Sequence, residues 1–151
     1  MRVVCQCGSV AFDTPTDKPL AVYHCHCLEC QKQSASAFGT SAIFPAQGLF
    51  PLSAGLRDRL TLYKRPASRA FSGHDMDCYF CSTCGSRVMH VAVDDDGRPR
   101  LTVSIKGGLV EGLDWSAATH IWTDRAVVEI PAGRETYPGS PAPTQGRDDG
   151  K

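Results

Sequence analysis

Apolar residues along this chain fall in short alternating runs rather than in helical stripes. Residues 20–23, 38–44, 60–63, 87–93, 101–105 and 126–130 are rich in branched and aromatic side chains. Several of them alternate with a period near two, as half-buried strands do. Breaks bearing Gly or Pro separate them: Pro45 to Pro51, Gly55, Pro66, Asp94-Asp95-Asp96-Gly97 and Gly107-Gly108. The Asp-Asp-Asp-Gly stretch predicts the turn of a hairpin joining 87–93 to 101–105. It lacks the other ligand positions of a calcium loop. One short helix is expected from Leu28 to Gln33, and no long stretch shows a 3.6-residue apolar period. The pattern predicts a mainly β protein with short helical turns.

From about Arg134 the alternation stops. Residues 133–151 carry Gly, Pro, Ser and charged residues with one aromatic, Tyr137. The expected organisation is one domain over 1–133 and a flexible tail over 134–151. A length of 151 residues suits a single domain with a real core.

Sixteen basic and sixteen acidic residues leave no net charge. Nothing in that balance favours nucleic acid or an anionic membrane surface as a partner. No segment approaches the roughly 20 apolar residues of a membrane span, and the N-terminus has no apolar run of signal-peptide length. A cytoplasmic location is the expectation. In that reducing compartment closely spaced thiols point to metal binding rather than to disulfides.

All eight cysteines fall into three groups: Cys5 and Cys7; Cys25, Cys27 and Cys30; Cys78, Cys81 and Cys84. The first and last echo each other, since Cys5-Gln6-Cys7-Gly8 and Cys81-Ser82-Thr83-Cys84-Gly85 each close a cysteine pair with glycine. Wrapping two thiolates around one ion turns the backbone sharply, and the residue after the second cysteine then favours positive φ, which glycine adopts freely. Two such turns supply four sulfurs for a closed, structural zinc site. Cys78-Tyr79-Phe80-Cys81 offers an alternative pair, but only Cys81 and Cys84 are followed by glycine. Cys78 is then a free or core thiol.

In the middle group Cys25 and Cys27 share one face if they lie on a strand, and a helix beginning after Cys27 brings Cys30 back to them. Three protein ligands with one vacant position is the pattern of a catalytic zinc. The residues leave open a fourth ligand from Cys78, His24 or His26, which would close the site. Alternation sends His24 and His26 to the face opposite the cysteines, where they would orient the ligands by hydrogen bonds.

The blocks Cys5-Gln6-Cys7-Gly8, Cys25-His26-Cys27-Leu28-Glu29-Cys30-Gln31 with Ser36-Ala37-Phe38 and Phe44, and Tyr79-Phe80-Cys81-Ser82-Thr83-Cys84-Gly85-Ser86 together resemble the glutathione-dependent formaldehyde-activating enzymes. Centromere protein V shares their domain. Softer matches follow at Ile105-Lys106-Gly107-Gly108-Leu109, Leu113-Asp114 and His120-Ile121-Trp122, so the resemblance spans roughly residues 3–130. It implies an Mss4-like fold of antiparallel β-sheets around a zinc-bound core. It also implies two zincs, a structural one on Cys5, Cys7, Cys81 and Cys84 and a catalytic one on Cys25, Cys27 and Cys30. The implied activity is that of a carbon–sulfur lyase forming or cleaving a thiol–aldehyde adduct such as S-hydroxymethylglutathione. Glutathione is the implied partner, and a homodimer is left open.

Zinc in such a site either holds the substrate thiol as thiolate or polarises the aldehyde oxygen. Three anionic sulfurs blunt Lewis acidity and favour the first. Two departures from the family stand out. Cys78 is an extra thiol, and Gln31 stands where many members carry Arg. Lys32, Arg69, Arg87 and Lys106 are candidate replacements for that charge. His120 and Trp122 match a family position near the active cleft. From the residues alone, a strand with Trp122 in the core and His120 bonded to a backbone carbonyl reads equally well. Trp115 is expected to pack under a loop, and His74 and His90 have no assigned role. Two other functions remain: a non-catalytic zinc-binding interaction module, and thiol redox chemistry on Cys78.

Overall fold

The computed structural model describes residues 1–141. Ten strands and two short helices follow in the order β1 (Arg2–Val4), β2 (Ala11–Asp13), β3 (Ala21–Cys25), α1 (Leu28–Ser34), β4 (Gly39–Pro45), α2 (Ala54–Arg57), β5 (Leu60–Arg65), β6 (Met76–Cys81), β7 (Arg87–Val93), β8 (Pro99–Lys106), β9 (Ala118–Ile121) and β10 (Thr136–Tyr137). The protein is mainly β, as the alternation predicts. No helix among the described residues is long and apolar enough to cross a membrane.

β1 and β2 form a small antiparallel pair, and the other eight strands form one sheet in the order β10-β9-β3-β4-β8-β7-β6-β5. The sheet is mixed, not antiparallel as expected. β9 runs parallel to both β3 and β10, because the chain returns to the far edge after β8 rather than by a hairpin. The expected β7–β8 hairpin is present, and Asp94 closes it. Its carboxylate accepts from the backbone N–H groups of Asp96 and Arg98 at 3.0 and 2.8 Å.

Two expectations about the C-terminal segment need correction. Residues 126–130 form no strand despite their branched composition. The edge beside β9 is taken by β10, so Val127 and Val128 find no strand to pair with and stay 69% and 44% exposed. Conversely, residues 134–141 contribute β10, which backbone pairing holds although nothing in its pattern announces a strand. The rest of the expected tail, residues 142–151, lies outside the described residues.

Strand registers divide the large sheet into two unlike faces. One carries Val22, Ala42, Phe44, Val103, Ile105, Met89 and Val91. With Val3 and Val10 around β1 and β2, these form the core. Full burial of a Phe or Ile side chain stabilises by roughly 1.5–3 kcal/mol, so this layer is the main source of stability. The opposite face carries Tyr23, Cys25, Ser41, Lys106, His90 and Cys78, and α1 lies against it. Glu29 reaches Arg65 at 3.7 Å, and Gln33 accepts from Arg87 at 3.4 Å.

Candidate metal centres and an adjoining cavity

Cys5 and Cys7 leave the end of β1, and Cys81 and Cys84 sit where β6 turns toward β7. Their four sulfurs lie within 4.8 Å of one another. Cys5 Sγ and Cys7 Sγ are 3.6 Å apart, and Cys7 Sγ and Cys81 Sγ 3.8 Å. Sulfurs about 2.3 Å from a tetrahedral zinc are about 3.8 Å from each other, so this donor set fits the ion. The turns match the expectation in detail. Gly8 and Gly85 adopt φ of 77° and 73°, and backbone N–H groups of Val10, Thr83 and Cys84 point at Cys5 or Cys81 sulfur from 3.3 to 3.5 Å. The set joins the first strand to a turn more than seventy residues later. Ser9, unremarked in the sequence, places its Oγ 3.1 and 3.2 Å from the sulfurs of Cys7 and Cys81.

Cys25, Cys27 and Cys30 likewise converge within 4.8 Å. Cys25 ends β3, and Cys27 is the N-cap of α1, its sulfur accepting from the Cys30 backbone N–H at 3.4 Å. The helix turn then returns Cys30 to the pair. Ser34 Oγ donates to the Cys30 carbonyl at 2.7 Å, and Ala35 stops the helix in the left-handed region. Gln33 Nε2 donates to Cys30 Sγ at 3.2 Å. Among the described residues no fourth His, Cys, Asp or Glu joins the trio within the same limit. Cys78 is fully buried and apart from it.

The electrostatics of the trio suit a cation. Hydrogen bonds from the Cys25 and Cys30 thiols hold Cys27 down at about 2, while thiol neighbours push Cys25 far above the ordinary value. Three sulfurs this close ionise together only beside positive charge. Lys106 is buried on the same face with its ammonium donating to Ser41 Oγ at 3.1 Å. Burial lowers its pKa, and the charges of Cys30, Cys25 and Cys78 oppose that. Of the cations considered as replacements at the Gln31 position, Lys106 is therefore the one beside the thiols. Arg69 is engaged with Glu29 at 2.7 Å. Gln31 itself donates to the carbonyls of His26 and Arg125, at 2.7 and 3.0 Å.

His24 lies on the face opposite Cys25, as alternation predicts, with Nδ1 2.8 Å from Thr40 Oγ1. His26 follows the strand and stacks on His120, its Nε2 3.0 Å from His120 Nδ1. His120 is thus satisfied by an imidazole, not by a carbonyl. Trp122 is half-buried just past β9 at φ 59° and meets Phe71 edge-on, outside the core. Trp115 is 48% exposed and stacks over His24 with ring centroids 6.2 Å apart. These rings wall a cavity of about 300 Å³ that His24, Phe38, Trp115, His120, Glu129 and Arg134 help to line. Its rings come from four separate segments, so the sequence shows only parts of it: the strand period at His24 and the family position of His120 near an active cleft. A larger hollow of about 500 Å³ lies beside β2 and α2, with no thiol or imidazole in its lining.

No curated protein matches the chain. A crystal structure of a Rhodobacter sphaeroides protein is similar at 19% identity, over 77% of this chain and 93% of that one, with a TM-score of 0.49. The family model described as glutathione-dependent formaldehyde-activating enzyme matches residues 1–125, which take in both sulfur clusters and the paired imidazoles of His26 and His120. The chain belongs to that family.

Proposed function

We propose that this protein is a zinc-dependent carbon–sulfur lyase-type enzyme that forms or cleaves a thiol–aldehyde adduct, with S-hydroxymethylglutathione as the type substrate. Family membership supports the reaction class. The observation that carries the site assignment is the convergence of three sulfurs with no fourth His, Cys, Asp or Glu beside them among the described residues. Cys25, Cys27 and Cys30 would hold the catalytic ion, and Cys5, Cys7, Cys81 and Cys84 a structural one. Zinc held by three thiolates supplies a position where a substrate thiol stays ionised near neutral pH, and a modest Lewis acidity toward oxygen.

The chain's own groups do the rest. The Cys30 backbone N–H fixes the Cys27 sulfur, and Gln33 fixes that of Cys30. Buried Lys106 offsets the excess negative charge of the sulfurs. In the forward direction the substrate sulfur gives up its proton and bonds to the aldehyde carbon. The carbon–oxygen π bond opens and the oxygen takes up one proton, so the step is proton-neutral overall. Cleavage is the reverse.

The test is Cys27→Ser with zinc content, folding and rate above the uncatalysed reaction all measured. Loss of one zinc and a fall in rate of at least about 100-fold with the fold intact is expected, since changes even to groups behind a ligand cost 10–100-fold. An unchanged rate removes the catalytic role. A wild-type protein with two tightly held zincs and no thiol binding is the non-catalytic module instead.

A further inference from the structure

Between β9 and the segment that precedes β10, the cavity beside His120 is built with an internal polarity. His26 is fully buried, and its Nδ1 has no partner. A proton there would be a buried donor without an acceptor, the costlier of the two arrangements. The proton therefore sits on Nε2 and is donated to His120 Nδ1, 3.0 Å away. That leaves neutral His120 with its own proton on Nε2. This nitrogen has no partner among the described residues and is not sealed from solvent, in a ring that lines the cavity. Burial lowers the His120 pKa, which agrees with a neutral ring.

Two opposite charges stand on the same wall. Arg134 and Glu129 both line the cavity, and no ion pair joins them to each other. Arg134 spends one N–H on the Ser116 carbonyl at 2.7 Å, and among the described residues no carboxylate pairs with it. The remaining walls are the rings of His24, Trp115 and Phe38 with apolar Ala118, Val128 and Pro131. Residues 128–134 lie beyond the stretch that matches the family model. A volume of about 300 Å³ is at the small end for ligand sites and suits one amino-acid-sized group.

We propose that this cavity binds the zwitterionic α-amino-acid end of the thiol substrate, its carboxylate on Arg134 and His120 Nε2–H and its ammonium on Glu129. The proposal rests on the reading of the chain as acting on a glutathione-like thiol. Chain neighbours tie the cavity to the trio. Phe38 lines the cavity while its neighbour Gly39 packs against Cys30, and His24 lines it next to Cys25 in the chain. The cavity and the trio lie on opposite faces of β3, so a ligand that spans them rounds the end of that strand, where Cys25 pairs with Gly39. His26 is then a positioning residue, acting on the ligand through the proton it fixes on His120.

The test uses zinc-loaded protein and S-methylglutathione, which has no ionisable thiol, against the same compound acetylated on its α-amino group. Two-bond 1H–15N spectra of the rings should show the Nε2–H form of both His26 and His120. S-methylglutathione should shift the Trp115 indole and His120 ring signals and bind at least tenfold tighter than its acetylated form. Glu129→Gln should bring that ratio near one, and Arg134→Gln should weaken S-methylglutathione at least tenfold. Equal binding of the two compounds by wild type, shifts elsewhere on the protein, or an Nδ1–H proton on His120 overturns the proposal. Binding as described without any acceleration of adduct formation from glutathione and formaldehyde supports the cavity and removes the lyase reading.

Discussion

A Cβ added at Gly39 would lie 3.3 Å from Cys30 Cβ and 3.3 Å from the Cys30 carbonyl oxygen. The first residue of β4 therefore sets how closely α1 approaches the sheet, and with it how far Cys30 sits from Cys25. Gly39→Ala should push the helix outward by a few tenths of an ångström. Overpacking of this kind costs about 1–3 kcal/mol. The fold should survive while the trio loses metal, read as a weaker second zinc in competition with a chromophoric chelator. Unchanged affinity would mean that the helix position does not govern the trio.

Chelation should separate the two sulfur clusters. The trio shares its ion with solvent or substrate and should release it first, with only a modest drop in Tm. The four-sulfur set links β1 to the β6–β7 turn, and its metal contributes directly to folding free energy. Loss of the second zinc should coincide with loss of cooperative unfolding. Cys81→Ser should reproduce that state and Cys30→Ser should not. Metal content followed alongside circular dichroism gives the order.

Lys106 is a buried ammonium beside anionic sulfur. Lys106→Met keeps the volume and removes the charge. It should weaken zinc at the trio by about 10–100-fold, in the range found for groups that support metal ligands. Global stability should move little, because an apolar chain replaces a charge that was costly to bury. A variant that unfolds with its zinc affinity intact would contradict this.

Four imidazoles predict a loss of stability in mild acid. Burial first, then His120, His26 and Arg134, hold the His24 pKa down at about 4; burial also lowers those of His26, His120 and His90. The unfolded chain takes up these protons near pH 6.5, while folded His24 resists until about pH 4. Protonation thus favours the unfolded state across that window: stability is full above about pH 6.5 and falls as pH drops toward about 4. Acid also releases metal from thiolates, so the comparison is with His24→Asn. The wild-type Tm should fall more steeply with acid than that of the variant, and parallel slopes would refute the assignment.

Much of the large sheet could be read from the chain, because strands buried on one apolar face announce themselves by alternation. The alternation predicts β7 at its observed bounds, and β4 and β8 to within two residues. β6 is hidden because its cysteines and Tyr79-Phe80 break the period, and β10 because it is two residues held by pairing with β9 and by bonds such as that from Thr123 Oγ1 to the Tyr137 carbonyl. Residues 126–130 show the converse: branched composition makes a strand only where a neighbour offers its hydrogen bonds. Both sulfur clusters were visible, since ligands close in sequence are close in space and the glycine after each pair reports the turn. Ser9 and most of the cavity's walls are not, and nothing local singles out Lys106 from the other three candidate cations. Their meaning lies in which strands stand side by side, and no local spacing encodes that.

From His24 to Cys27 the chain alternates imidazole and thiol along one backbone, so soft sulfur donors collect on one side and ring nitrogens on the other. Because strand side chains repeat every second residue, a deletion or insertion of one position just before His24 would exchange the two sets. The metal pocket would then face nitrogen, and the ligand cavity would be lined with sulfur. Register in this single strand is therefore under tighter constraint than its five buried and half-buried residues would suggest.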